Sequence, residues 1–319
     1  MEIRLVPPEW ATHLISDLDD WHRAPRPVGD LAPFDLPDDA WFEYAWLDAD
    51  GVPRSDPTGV SAANPWWEHA CRLAGPAFRE HPDVPSAAAK AEGRLERHKL
   101  PSSFLGSHRW VFLYSTAGPS TPGPLVLFQD GKACWHHGRV GPLADALTRS
   151  GAIPPAHFVF LQPEQRSGDY VFNPAFRSFV SEELIPFVEQ ARRCTESRVA
   201  WGVSLGALAS AWLALDASGL FQTVVAQSGA FLGGPEDRPH DPYGGSEWLL
   251  AEIRAGRGGD LNWSLDCGTL EWLQGGHRRL IEAMTDTGCL HRSTSRTMGH
   301  NWQNWRQGIP DALRWALAR

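Results

Sequence analysis

The sequence lacks the features that mark membrane, secreted and nucleic-acid-binding chains. No window approaches the ~18 consecutive apolar residues of a membrane-spanning helix. The N-terminal stretch MEIRLVPPEW has no apolar run behind a basic start, so no secretory leader is expected, and a cytoplasmic location is. The 5 cysteines (Cys71, Cys134, Cys194, Cys267 and Cys289) are odd in number, scattered and without CxxC spacing. That argues against a disulfide framework or a zinc site and for reduced thiols. Basic residues number 29 against 38 acidic ones, a net charge of −9, so the excess that neutralises phosphates is missing and no nucleic-acid partner is expected. There is no HExxH, adjacent His136 and His137 would point apart, and His240, Asp241 and Asp266 have no ligand spacing, so no metal is assigned. Internal repeats and low-complexity tracts are also missing.

What is present reads as an ordinary globular chain. It has 319 residues, 42% hydrophobic and 21% charged, and suits two domains with a sizeable core. The 16 Trp, 30 Gly and 26 Pro residues indicate many turns and large aromatic anchors. In the first part, Thr12–Ser16 and Trp41–Leu47 read as strands, the latter running into the turn Asp48-Ala49-Asp50-Gly51, and short strands with frequent turns suggest a small β-sandwich. Residues 83–100 are Ala- and charge-rich, helix-compatible and poor in core residues, which suits an exposed connector. Residues 1–118 are therefore expected as the first domain, connector included, and 119–319 as the second.

The second part alternates strand and helix. Pro124–Phe128, His157–Leu161, Arg198–Val203, Gln222–Gln227 and Leu261–Asp266 read as strands, and 141–150, 175–192 and Ala207–Ala217 as helices. This alternation predicts an α/β fold with a mainly parallel sheet covered by helices. The sharpest motif is Gly202-Val203-Ser204-Leu205-Gly206, which lies between an apolar strand and an Ala/Leu-rich helix. The bare G-x-S-x-G pattern is weak, but its setting is the one a serine nucleophile needs, with glycines permitting a sharp, strained turn at Ser204.

A base and an acid should follow downstream. Of the 13 histidines, His300 in Gly299-His300-Asn301, just before the last helix, is best placed; His277 is the competitor. The acid should follow the strand Leu261–Asp266, where Asp266 and Glu271 qualify equally. Its task is to accept the imidazole Nδ1–H and fix the tautomer. The Leu205 amide is one expected oxyanion donor. The second should come from the turn after Phe128, at Gly131 or Lys132.

Several stretches, in order, resemble the enterochelin (siderophore) esterase family of the α/β-hydrolases. They are Leu127–Gly131, Arg166 to Asn173 with Phe176 and Glu182–Pro186, Trp201–Ala207, Gln227–Phe231, and Gly299-His300 with Trp305-Arg306. The resemblance covers roughly 120–319. Ala207 departs from it, since the family usually has glycine there. It implies Glu271 as the acid, in Gly268-Thr269-Leu270-Glu271, with a Ser204–His300 dyad as the alternative. It also implies Arg166 as a partner for an anionic substrate group. Trp135 and Trp302 complete the candidate substrate contacts. The first domain is more loosely similar to the immunoglobulin-like modules that precede such esterases, through Ser16–Trp21, Phe42–Trp46, Asp56-Pro57 and Asn64–Trp67. Trp21, Trp46, Trp66 and Trp67 would then be packing residues or ring-stacking ones.

The implied activity is carboxylic ester hydrolysis through an acyl-enzyme, without organic cofactor or metal, on a ferric catecholate trilactone. A feruloyl- or acetyl-type esterase, an acyltransferase, and a non-catalytic sugar- or siderophore-binding protein on the same scaffold are the alternatives. Oligomeric state is not legible.

Overall fold

The computed structural model describes residues 2–237, 241 and 243–318; His240 lies outside them. The backbone divides into two compact units. One comprises Met1–Pro82, Cys267–Gln274 and Ser295–Gln307, the other Asp83–Asp266, Gly275–Thr294 and Gly308–Arg319.

The first unit holds β1 (Glu2–Ile3), β2 (His13–Ser16), β3 (Arg26–Pro27), β4 (Phe34–Asp35), β5 (Trp41–Leu47), β6 (Pro53–Arg54), β7 (Val60–Ser61) and β8 (Cys71–Ala74). An antiparallel sheet runs β3-β2-β5-β8-β7 with β6 also on β5, and β1 pairs with β4. Central β5 alternates in sequence, yet all of its residues are buried. One face packs Phe42, Tyr44 and Trp46 with Leu14, Leu36 and Cys71; the other packs Ala45 and Leu47 with Ile15, Trp21 and Ala70. Burial on both faces carries Glu43, at a polar position of the pattern, into the interior.

The larger sheet contains β9 (Glu96–Pro101), β10 (His108–Ser115), β11 (Gly123–Phe128), β12 (His157–Gln162), β13 (Cys194–Val203), β14 (Thr223–Gln227), β15 (Asn262–Gly268) and β16 (Leu290–Arg296), in the order β16-β15-β14-β13-β11-β12-β10-β9. Pairing is parallel from β12 through β11, β13 and β14 to β15, and antiparallel where β12 meets β10 and β10 meets β9. The sheet is therefore mixed.

Its helices are α1 (Gly131–His136), α2 (Val140–Arg149), α3 (Arg166–Tyr170), α4 (Pro174–Ser178), α5 (Ile185–Ala191), α6 (Leu205–Asp216), α7 (Trp248–Arg254), α8 (Gln274–Asp286) and α9 (Trp302–Leu317). The π-helical turn Phe179–Leu184 joins α4 to α5. Leu125–Phe128 of β11 are fully buried, as a strand covered on both faces requires. Apolar all round, α6 is buried from Leu205 to Leu215.

Residues 96–115 differ from expectation. They form β9 and β10 of the large sheet rather than a connector and part of the first domain. The β9 segment ERHKLP alternates half-buried and exposed residues. Such an edge strand carries charge on its open face and leaves no apolar run to signal it.

Candidate active site

The strand β13 ends at Val203 and α6 starts at Leu205, with Ser204 alone at the turn. Its φ of 55° and ψ of −122° are a conformation that L-residues rarely adopt. The flanking glycines make the turn possible. A Cβ on Gly202 would stand 2.1 Å from the Gly206 carbonyl, and one on Gly206 would stand 2.9 Å from Cβ of Gln129. Ser204 N donates to Gln227 O (2.9 Å), fixing the elbow to β14. Leu205 N–H is a first-turn donor of α6, beyond the reach of helical acceptors.

The turn after β11 is equally constrained. Asp130 has φ 54°, and a Cβ on Gly131 would sit 2.4 Å from the Phe160 carbonyl carbon. Gly131 opens α1, whereas Lys132 N donates to Gln162 Oε1 (3.2 Å). Arg166 Nε and Nη2 donate to the two carboxylate oxygens of Asp130 (2.9 and 2.8 Å), and Nη2 also donates to Val203 O (3.2 Å). The guanidinium thus ties this turn to the residue before Ser204. Trp135 packs edge-on against Tyr114 and Phe160, with ring centroids at 5.2 and 5.4 Å.

In the first unit, His300 Nδ1 donates to Glu271 Oε2 (2.8 Å). The other oxygen, Oε1, accepts from Gly268 N and from Asn304 Nδ2, both at 2.8 Å. Glu271 and His300 are buried. The imidazole lies between Trp272 (centroids 4.5 Å) and the perpendicular Trp305 (5.0 Å). Of the two acid candidates, Asp266 has a different partner: its Oδ2 accepts from Gln227 Nε2 (3.3 Å). The competing His277 packs on Phe231, with Nε2 3.1 Å from Gly229 O.

Buried Trp302 contacts Trp66 (5.5 Å) and Trp305 (5.1 Å); Trp66, at 38%, is the exposed ring of this cluster. Trp21 stacks on Trp67 at 5.3 Å, and fully buried Trp46 donates to Asp56 Oδ2 (3.2 Å), so both pack the interior.

The sequence reading missed the buried polar residues around this histidine. Asp17, Glu43, Asn64, Asn301 and Asn304 are all inside. Glu43 accepts from Trp41 Nε1 (2.8 Å) and Asn64 Nδ2 (2.7 Å). Burial pushes its carboxyl from the ordinary 4.5 to about 7, with these two bonds opposing the shift. A carboxyl that binds its proton more tightly in the folded chain stabilises the fold below its ordinary value. That contribution is lost as pH rises through the folded value. Calorimetry of Glu43→Gln is expected to show a flatter fall in melting temperature between pH 4.5 and 7 than the wild type shows. An unchanged slope would contradict this.

A family model described as "Putative esterase" matches residues 102–316. The chain belongs to this family. Within the esterases, the iron(III) enterobactin esterase of Dickeya dadantii (strain 3937) is 28% identical over 236 residues, covering 68% of this chain and 53% of that protein. The chain thus spans about half the length of that curated relative. The fold resembles the enterobactin esterase of Shigella flexneri crystallised with enterobactin, at TM-score 0.77 and 20% identity over 96% of this chain and 87% of that one. It also resembles the ferric enterobactin esterase of Salmonella typhimurium (TM-score 0.75, 18% identity, 95% and 88% covered). A ferulic acid esterase superposes with TM-score 0.59 and 18% identity over 70% of this chain and 97% of its own.

Proposed function

We propose that this esterase-family protein is a serine carboxylic ester hydrolase whose substrate is a siderophore ester of the enterobactin trilactone type. The observation that carries the chemistry is the strained Ser204 between Gly202 and Gly206 at the head of α6. A side chain held there at conformational cost is one kept for reaction. The His300–Glu271 pair supplies the base in its working tautomer, because Nδ1–H is committed to the carboxylate.

In this reading His300 Nε2 takes the Ser204 Oγ proton as Oγ attacks the ester carbonyl. The Leu205 and Gly131 amides receive the negative charge that develops on the carbonyl oxygen. As the tetrahedral species collapses, the C–O bond to the leaving alcohol breaks and His300 returns its proton to that oxygen. Water, deprotonated by His300, then releases the acid and restores Ser204. Glu271 stays ionised throughout. Arg166, which steadies the Asp130 turn, is the cation assigned to an anionic substrate group; Trp66, Trp135 and Trp302 are the aromatic candidates.

The first unit is assigned as an immunoglobulin-like module, supported by its antiparallel sheet, with the hydrolase domain starting near residue 83. The assigned compartment is the cytoplasm, with imported ferric complex as substrate.

The substrate is named from the relatives and tested by titrating acid released from ferric and iron-free enterobactin, beside feruloyl and p-nitrophenyl esters. Opening of the trilactone with the highest kcat/KM is expected. Higher kcat/KM for feruloyl esters would favour the second reading, to which the ferulic acid esterase likeness points.

A further inference from the structure

The loop that carries His300 is built onto the sheet of the first unit. Trp41 N donates to Thr297 O (2.9 Å) and Gly299 N donates to Trp41 O (3.2 Å), so Met298 forms a parallel bridge with β5. Asp17, which follows β2, is wholly buried beside this bridge. Its Oδ2 accepts from Asn301 Nδ2 and from Glu43 N, both at 2.8 Å, and its Oδ1 from Trp21 Nε1 at 3.3 Å. The same carboxyl fills the space over Gly299, where a Cβ would come within 2.0 Å of Oδ2.

From Asn301 the bonding continues towards the acid. Asn301 Oδ1 accepts from Asn304 N (3.0 Å). Asn304 Nδ2 donates to Gly299 O (3.0 Å) and to Glu271 Oε1 (2.8 Å). The series Asp17, Asn301, Asn304, Glu271, His300 thus lies entirely within one unit. It joins a residue near the N-terminus to the residues on both sides of His300 and to its carboxylate. A buried carboxyl costs stability unless it is well partnered. Burial, followed by the nearby charge of Glu43, raises the affinity of Asp17 for a proton, against the bonds from Asn301 and Glu43 N; Glu271 adds to the rise. An apolar side chain would fill this place more cheaply, but it could not hold Asn301.

We propose that Asp17 is a positioning residue for His300, acting as the acceptor that fixes Asn301 and thereby the Gly299–Asn301 backbone and the Glu271 carboxylate. The inference rests on the reading of His300 as catalytic base. Its working feature is acceptance by Oδ2, not charge. An amide oxygen in the same place serves equally, and only the weaker Trp21 bond is then lost.

Steady-state hydrolysis of p-nitrophenyl acetate by Asp17→Ala, Asn301→Ala, the double variant and Asp17→Asn tests this. A base displaced by about 1 Å costs about a hundredfold in kcat. Asp17→Ala and Asn301→Ala are each expected to show that loss with KM nearly unchanged. The double variant should be no slower than the worse single one, and Asp17→Asn should recover most of the activity. In the proton spectrum, the Nδ1–H resonance of His300 should persist in Asp17→Asn and broaden or vanish in the two alanine variants.

Folded Asp17→Ala and Asn301→Ala proteins with wild-type kcat and an intact Nδ1–H resonance would overturn the proposal. So would an Asp17→Asn loss as large as that of Asp17→Ala. If Asp17→Ala does not fold, Asn301→Ala decides alone, because Asn301 can be cut back without removing the buried carboxyl. His300→Ala is run alongside. Full activity there sinks the base assignment itself, whereas an inactive His300→Ala with active Asp17→Ala and Asn301→Ala sinks only the role of Asp17.

Discussion

Ser204→Ala is expected to lower kcat for ester hydrolysis by about 10⁴-fold or more while leaving the fold intact. The expected loss is large because the proposed mechanism makes the Ser204 hydroxyl the group that bonds covalently to the substrate. Removing it leaves the proposed oxyanion donors, the Leu205 and Gly131 amides, which alone cannot create an oxyanion without a nucleophile. Alanine keeps the Cβ, so the φ of 55°, the Ser204 N bond to Gln227 O and the close approach of Gly202 to Gly206 are retained. Melting temperature should therefore stay close to the wild-type value, and stopped-flow traces with p-nitrophenyl acetate should lose their burst. Turnover within tenfold of wild type in the folded variant would refute the assignment.

Glu271→Gln is expected to cost about 10³–10⁴-fold in kcat, for a different reason. The glutamine can keep an oxygen where Oε1 accepts from Gly268 N and Asn304 Nδ2. Its amide NH2 then faces His300 Nδ1 and donates where the carboxylate accepted. The imidazole must place its proton on Nε2, so the nitrogen proposed to deprotonate Ser204 carries a proton instead. KM should change little. A variant with wild-type kcat would show that His300 works without a fixed tautomer, as the dyad alternative holds.

Much of the second unit is legible in the sequence because its signals are local. Continuous apolar runs such as Leu125–Phe128 mark strands covered on both faces, and the glycines at 202 and 206 mark a turn whose close approaches the structure displays. Local patterns fail where the deciding partner is distant. The residues alone leave Asp266 and Glu271 equal, since both follow one strand; what separates them is the Gln227 amide on one and the His300 ring on the other. Lys132 N donates to Gln162 Oε1, a partner thirty residues on that no local pattern announces. Asp17 and Asn301 stand 284 positions apart and carry no shared motif. Glu43 reads as a polar position of an alternating strand because nothing local says that β5 is covered on both faces.

Ser204 acylation is read most directly by intact-mass spectrometry of enzyme quenched with acid during p-nitrophenyl acetate turnover, followed by peptide mapping. One acetyl adduct is expected, on the peptide containing Ser204, present in wild type, accumulating when deacylation is slowed at low pH, and missing from Ser204→Ala. An adduct on another residue, or steady turnover with no adduct at Ser204 under any condition, would contradict it.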